Sequence, residues 1–205
     1  MPRDRLYLMR HGQTPWNRRK VYRGRSQVPL SELGREQARS AGEHLAGLNI
    51  DRLLVSPLAR ATETARIVAP FLGLEPEAWE LLIDPDVGEW EGMEVTRVME
   101  EYPEEFRVQS ETPSVFRFPG GESIQEVADR TDRFLRQAAG MEGNVLAVTH
   151  NCLCQIMTVQ VLGGSLDRMY HLAQDHCAIT ELRRGRRGMV LRTFNTNHYL
   201  AERTR

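Results

Sequence analysis

Short runs in which every residue is apolar alternate along this chain with longer stretches in which apolar residues recur every three or four positions. Leu6-Tyr7-Leu8-Met9, the Leu53-Leu54-Val55 centre of Arg52-Leu53-Leu54-Val55-Ser56, and Val145-Leu146-Ala147-Val148-Thr149 are the uninterrupted runs. A strand with one wet face alternates in polarity, so uninterrupted runs predict strands buried on both faces. Leu33, Ala38, Ala41, Leu45 and Leu48 predict a helix entered through Ser31 as N-cap, with Gly34 standing where a capping box carries Glu. Pro57 predicts the first turn of a second helix, which runs to Leu72 and stops at Gly73. A short helix over 94–102 ends at Pro103, and Ile124, Val127, Ala128, Thr131, Phe134, Leu135 and Ala138 stripe an amphipathic helix that ends at Gly140. A last helix over 152–162 stops at Gly163-Gly164, and residues 178–184 and 189–194 form a terminal hairpin. Strands alternating with helices predict an α/β fold, a three-layer αβα sandwich around a mainly parallel central sheet. No repeat, low-complexity tract or linker interrupts the pattern, so 1–205 reads as a single domain.

Composition narrows the classes of function. The chain of 205 residues is 40% apolar and 27% charged, an ordinary globular balance with enough length for one core. A net charge of −1 supplies no field for nucleic acid. The basic run Arg183-Arg184-Gly185-Arg186-Arg187-Gly188 reads as a solvated hairpin tip rather than a binding patch. Three cysteines, Cys152, Cys154 and Cys177, are an odd set that suits a reducing cytoplasm better than a disulfide framework. Arg5 and Arg10 enclose only four apolar residues, too few for a signal-peptide core, and no apolar run of about 18 residues predicts a membrane span.

The chemistry collects where the buried runs end. Arg10-His11-Gly12 follows the first, Ser56-Pro57-Leu58-Ala59-Arg60 the second, and His150 the third. Ligands of open α/β sheets bind at the carboxyl ends of the strands, so neighbouring parallel strands would bring Arg10, His11, Arg60 and His150 into one small volume. Two guanidinium forks beside two imidazoles suit a phosphate group. His150, Cys152 and Cys154 match no zinc spacing, and no metal or other cofactor is expected.

Several motifs in order resemble one family. Leu8-Met9-Arg10-His11-Gly12-Gln13-Thr14 with Trp16-Asn17 is similar to the signature of the histidine phosphatase superfamily, which includes phosphoglycerate mutases. Pro29-Leu30-Ser31-Glu32-Leu33-Gly34, Val55-Ser56-Pro57-Leu58-Ala59-Arg60-Ala61, Gly88-Glu89-Trp90-Glu91-Gly92, Pro119-Gly120-Gly121-Glu122-Ser123 and Val148-Thr149-His150 continue the resemblance over most of the chain. It implies a phosphoglycerate mutase-like fold and a metal-independent phosphomonoesterase acting on a small-molecule phosphate ester. His11 would attack phosphorus and carry a phosphohistidine, with Arg10 and Arg60 keeping its ring unprotonated. Arg10, Asn17, Arg60 and His150 would hold the phosphoryl oxygens, and Arg23 would touch the substrate. Cytoplasmic location, no nucleic-acid or membrane partner and a homodimer complete the expectation.

The general acid departs from the family pattern. Phosphatase-like members carry Glu four residues before the glycine matching Gly88, whereas this chain has Asp84. Asp84 is the first choice for the acid and Glu89, also grouped with the substrate-binding residues, is the second. A second departure follows His150, where relatives have Gly-Gly and this chain has Asn151-Cys152. Two other functions stand beside the phosphatase: a phosphoglycerate mutase, and a non-catalytic phosphate-binding protein on the same fold. Only 23 residues separate Arg60 from Asp84, which leaves no room for the enclosing insertion of mutases, and the mutase Glu-Arg-His-Tyr-Gly block is absent. The segment over 93–119 is expected to cover the pocket.

Overall fold

The computed structural model describes residues 4–186 and 188–200. Among these, strands β1 (Arg5–Arg10), β2 (Arg52–Val55), β3 (Pro76–Ala78), β4 (Val145–Thr149), β5 (Ile179–Gly185) and β6 (Gly188–Thr196) join in one sheet. Its order is β3-β2-β4-β1-β5-β6. The β3-β2-β4-β1 part is parallel, and β5 and β6 extend it antiparallel. The helices are α1 (Pro15–Arg18), α2 (Glu32–Leu45), α3 (Ala59–Leu72), α4 (Val95–Glu101), α5 (Pro103–Glu111), α6 (Ile124–Ala139) and α7 (Asn151–Leu162).

Alternation within the uninterrupted runs separates two cores. Leu6, Leu8, Leu54, Val145 and Ala147 face a cluster with Ile124, Val127 and Phe134 of α6 and Leu153 and Ile156 of α7. Tyr7, Met9, Leu53, Val55, Leu146 and Val148 face Ala38, Ala41 and Leu45 of α2 and Ala61, Ala65 and Val68 of α3. Successive strand side chains point to opposite faces, so each run serves both layers and the three-layer sandwich follows.

Local signals set the helix ends. Ser31 Oγ accepts from Gly34 N at 3.1 Å and opens α2. Ser123 and Glu126 form a full capping box at the start of α6, an Ser-Ile-Gln-Glu signal easily overlooked in the sequence. Gly34 has a further reason to lack a side chain. A Cβ there would lie 2.1 Å from Gln13 O, so α2 packs directly on the loop that leaves β1.

Three boundaries differ from the expected ones. α3 begins at Ala59, not at Pro57, because Leu58 is extended (φ −73°, ψ 141°) and buried before the first turn. Pro103 ends α4 but also opens α5, as proline suits the first helical position. β3 is an unexpected three-residue edge strand. Of the basic run, Arg183, Arg184 and Gly185 end β5 and Gly188 opens β6; Arg187 lies outside the described residues. No helix among the described residues is long and apolar enough to cross a membrane.

Candidate active site

β2, β4 and β1 are adjacent and parallel, so their carboxyl ends share one edge of the sheet. His11 follows β1 there, Ser56 follows β2, His150 follows β4, and Arg60 sits in the first turn of α3. His11 is 1% exposed, and its N–H donates to Thr149 O at 2.9 Å. Its Nδ1 lies 2.6 Å from Gly12 O. A carbonyl only accepts, so Nδ1 carries the proton and the lone pair sits on Nε2. Burial first, then Arg60, His150, Arg10 and Arg23, hold the imidazole well below its ordinary value of 6.5. The ring is therefore neutral at physiological pH.

Arg60 is 0% exposed and its N–H groups are spread over four partners. Nε donates to His150 Nδ1 at 3.2 Å, one terminal nitrogen to Ser26 O at 3.0 Å, and the other to Gly24 O and Asp84 Oδ2, both at 2.8 Å. With Nδ1 accepting, His150 carries its proton on Nε2 and donates to Ser56 Oγ at 2.7 Å. The His11 and His150 ring centres are 5.3 Å apart.

Arg10 and Arg23 are held differently. Arg10 donates to Gln174 O at 2.6 Å and to His176 Nε2 at 2.8 Å, and Arg23 donates to Val21 O at 3.3 Å. The buried Nε of each has no hydrogen-bond partner. Burial, followed by the charge of Arg23, lowers Arg10 to about 10, which leaves it cationic at neutral pH. The cluster thus sets three guanidinium groups against one carboxylate, Asp84, with neutral histidines between them. Unpaired N–H donors and surplus positive charge in a water-poor site call for an anion.

The segment bearing Asp84 is braced from several sides. Thr149 Oγ1 donates to Leu82 O at 2.8 Å, Arg130 to Leu81 O at 3.2 Å, and Asp86 N to Glu122 Oε2 at 2.8 Å. Gly88 turns with φ +52°, and a Cβ there would lie 2.1 Å from Pro119 O, so the Gly88 and Pro119 motifs dock on one another. Asp84 Oδ2 also lies 3.7 Å from His150 Nδ1.

One expected residue, Glu89, stands apart from this cluster. The 3-10 turn Gly88–Trp90 buries Trp90 and turns Glu89 outward, where its exposed carboxylate accepts from Tyr102 OH at 3.1 Å. Glu89 does not line the cavity beside Asp84. Asn17 Oδ1 is used in capping α1, accepting from Thr14 N and Thr14 Oγ1 at 2.9 Å each. Conversely, Gln174, His176, Ser56 and Glu122 brace the site without having been singled out for it. His176 was visible only as an isolated histidine; the Ser56-Pro57 and Gly121-Glu122 motifs were the available hints for Ser56 and Glu122, and Gln174 had none.

A cavity of about 360 Å³ opens beside Arg23 and Asp84. Its walls come from the loop after α1 (Val21, Tyr22), from α4 and α5 (Val95, Phe106, Gln109), and from the first turns of α7. The segment over 93–119 does cover the pocket, as its position suggested.

Comparison with known proteins agrees with this geometry. The sequence profile of the histidine phosphatase superfamily (branch 1) matches residues 6–197. The chain belongs to that superfamily. This histidine phosphatase is 32% identical over 200 residues to phosphoserine phosphatase 1 of Hydrogenobacter thermophilus, covering 97% of this chain and 95% of the relative. It is 30% identical over 181 residues to a probable phosphoglycerate mutase, GpmB, of Salmonella choleraesuis, covering 86% and 83%. The solved mycobacterial glucosyl-3-phosphoglycerate phosphatase in complex with VO3 superposes with a TM-score of 0.85 at 27% identity, covering 94% of this chain and 99% of that one.

The neutral histidines of this histidine phosphatase make its stability depend on pH. His11 and His150 lie well below 6.5, and burial with Arg10 and Arg23 lowers His176 to about 2. Unfolding frees each ring to bind a proton below its ordinary value. The stability is therefore fully present above about pH 6.5 and lost as pH falls, by up to roughly 1.4 kcal/mol per pH unit for each ring. Urea unfolding midpoints should drop steadily between about pH 7 and pH 5. A flat midpoint across that range would contradict the buried, neutral assignment.

Proposed function

We propose that this chain hydrolyses small-molecule phosphomonoesters through a phosphohistidine at His11. The observation that carries this is the bare Nε2 of a buried His11 inside a cluster with three guanidinium groups and one carboxylate. In the proposed sequence Nε2 attacks phosphorus, the P–O bond to the alcohol breaks, and Asp84 protonates the departing oxygen. Water then attacks the phosphohistidine, giving its proton back to Asp84 and releasing inorganic phosphate. The arginines stabilise charge spread over the equatorial oxygens.

Asp84 and the substrate phosphate compete for the same Arg60 nitrogen, which lies 2.8 Å from Oδ2. A phosphate dianion on Arg60 would displace the carboxylate from that nitrogen. His150 orients Arg60 through Nδ1. Among the described residues no three His, Cys, Asp or Glu side chains are grouped to hold a metal ion. The three cysteines are free thiols, Cys154 pushed up to about 12 by burial, and the proposal puts the enzyme in a reducing cytoplasm.

The test is release of inorganic phosphate from p-nitrophenyl phosphate with and without EDTA. Turnover is expected in both, at equal rates. Absence of turnover overturns the proposal, loss in EDTA overturns the metal-independent route, and faster interconversion of 2- and 3-phosphoglycerate than phosphate release replaces hydrolysis by a mutase reaction.

A further inference from the structure

The cavity beside the phosphate cluster has its own chemistry. Arg23 and Asp84 are the only charged side chains on its described lining, and both belong to the phosphate cluster. Tyr22, Phe106 and Phe118 give it apolar faces, and Tyr22 OH donates to Gln109 Oε1 at 2.8 Å. A carboxylate on the leaving alcohol would lose its water there, and the described lining offers it no cation beyond the phosphate cluster.

Two amide oxygens on this lining are unsatisfied. Asn151 and Gln155 are four residues apart on α7 and therefore share one helix face. Gln155 is 4% exposed, and its Nε2 donates to Leu172 O at 2.5 Å, which fixes the amide so that Oε1 is left over. Gln155 Oε1 and Asn151 Oδ1 are buried with no hydrogen-bond partner. Buried acceptors without a protein partner take their donors from water or from a ligand, and both of these belong to side chains that line the cavity.

We infer that the cavity takes the neutral, hydroxyl-bearing alcohol of a ring-sized phosphate ester, and that Asn151 and Gln155 select it by accepting hydrogen bonds from its hydroxyl groups. This rests on the phosphomonoesterase reading and adds the substrate class to it. A volume of about 360 Å³ suits a sugar- or cyclitol-sized group rather than a three-carbon one.

The experiment compares kcat/KM for myo-inositol 1-phosphate, cyclohexyl phosphate and phosphoserine, with p-nitrophenyl phosphate as reference. The first two share a six-membered ring and differ in their hydroxyl groups; the third is charged. Inositol 1-phosphate should exceed each of the other two by roughly 10- to 100-fold. Gln155→Met and, separately, Asn151→Ala should shrink the ratio of inositol to cyclohexyl ester by about tenfold, because each removes an acceptor that only the hydroxylated ester uses. Circular dichroism melting checks that each variant is folded, and either folded variant suffices for the comparison. If p-nitrophenyl phosphate is hydrolysed while cyclohexyl phosphate or phosphoserine equals the inositol ester, or if a folded variant keeps the wild-type ratio, the pocket assignment falls and the phosphatase reading stands. If no ester is hydrolysed, both fall.

Discussion

His11→Ala is expected to lower kcat for p-nitrophenyl phosphate by about ten-thousand-fold or more, since no other side chain in the cluster offers a bare nucleophilic nitrogen. His150 lies close, but its Nδ1 accepts from Arg60 and its Nε2 donates to Ser56, so neither lone pair is available to replace that of His11. The guanidinium cluster survives the substitution. Inorganic phosphate should therefore still inhibit or bind within about tenfold of its wild-type affinity, which separates loss of the nucleophile from loss of the anion site. Rapid acid-free quenching of the wild-type enzyme with labelled substrate should trap a phosphoryl group on the protein, and the variant should show none. Removing a buried ring also leaves a small void, so a stability loss of roughly 1–3 kcal/mol is expected beside the kinetic effect. A variant that keeps kcat and only raises KM would mean that His11 binds phosphate without attacking it.

The parts of this fold that the sequence reveals are those in which local pattern and tertiary burial agree. β1 and β4 read as uninterrupted apolar runs because helices cover both faces, and the same runs located His11 and His150 at their ends. β3 escaped because Pro76–Ala78 is short, mostly exposed and paired on one side only, so no apolar signal was needed to form it. α5 is hidden in the sequence because Pro103 marks a helix end, whereas one proline can close one helix and begin the next.

The site divides in the same way. Arg10, His11, Arg60 and His150 were legible because each ends a strand or follows one by a few residues. Gln174 and His176 were not, because nothing local marks them. They reach Arg10 only through the antiparallel pairing of β5 with β1, with Cys177 N donating to Arg10 O at 2.9 Å. Glu89 misled for the opposite reason. It lies five residues from Asp84 in sequence, yet the turn that buries Trp90 sends it to the outer surface against Tyr102. Sequence distance says little about direction across a 3-10 turn.

That divergence between Asp84 and Glu89 gives the second large effect. Asp84→Asn should lower kcat for alkyl phosphates, whose alkoxide needs a proton to leave, by roughly 10²- to 10⁴-fold. For p-nitrophenyl phosphate the drop should be about tenfold or less, because a stabilised phenolate departs unprotonated. Glu89→Gln should leave both substrates unaffected, since its carboxylate faces solvent and Tyr102. Asp84→Asn carries a further signature from geometry alone. The carboxylate sits 2.8 Å from Arg60 and competes with the phosphate for it, so the neutral amide should strengthen inhibition by inorganic phosphate even as turnover falls. Lower kcat together with tighter phosphate binding is not what a merely disrupted site would give. An alkyl-ester defect in Glu89→Gln and none in Asp84→Asn would move the acid to Glu89 and require the Gly88–Trp90 turn to rearrange when substrate binds.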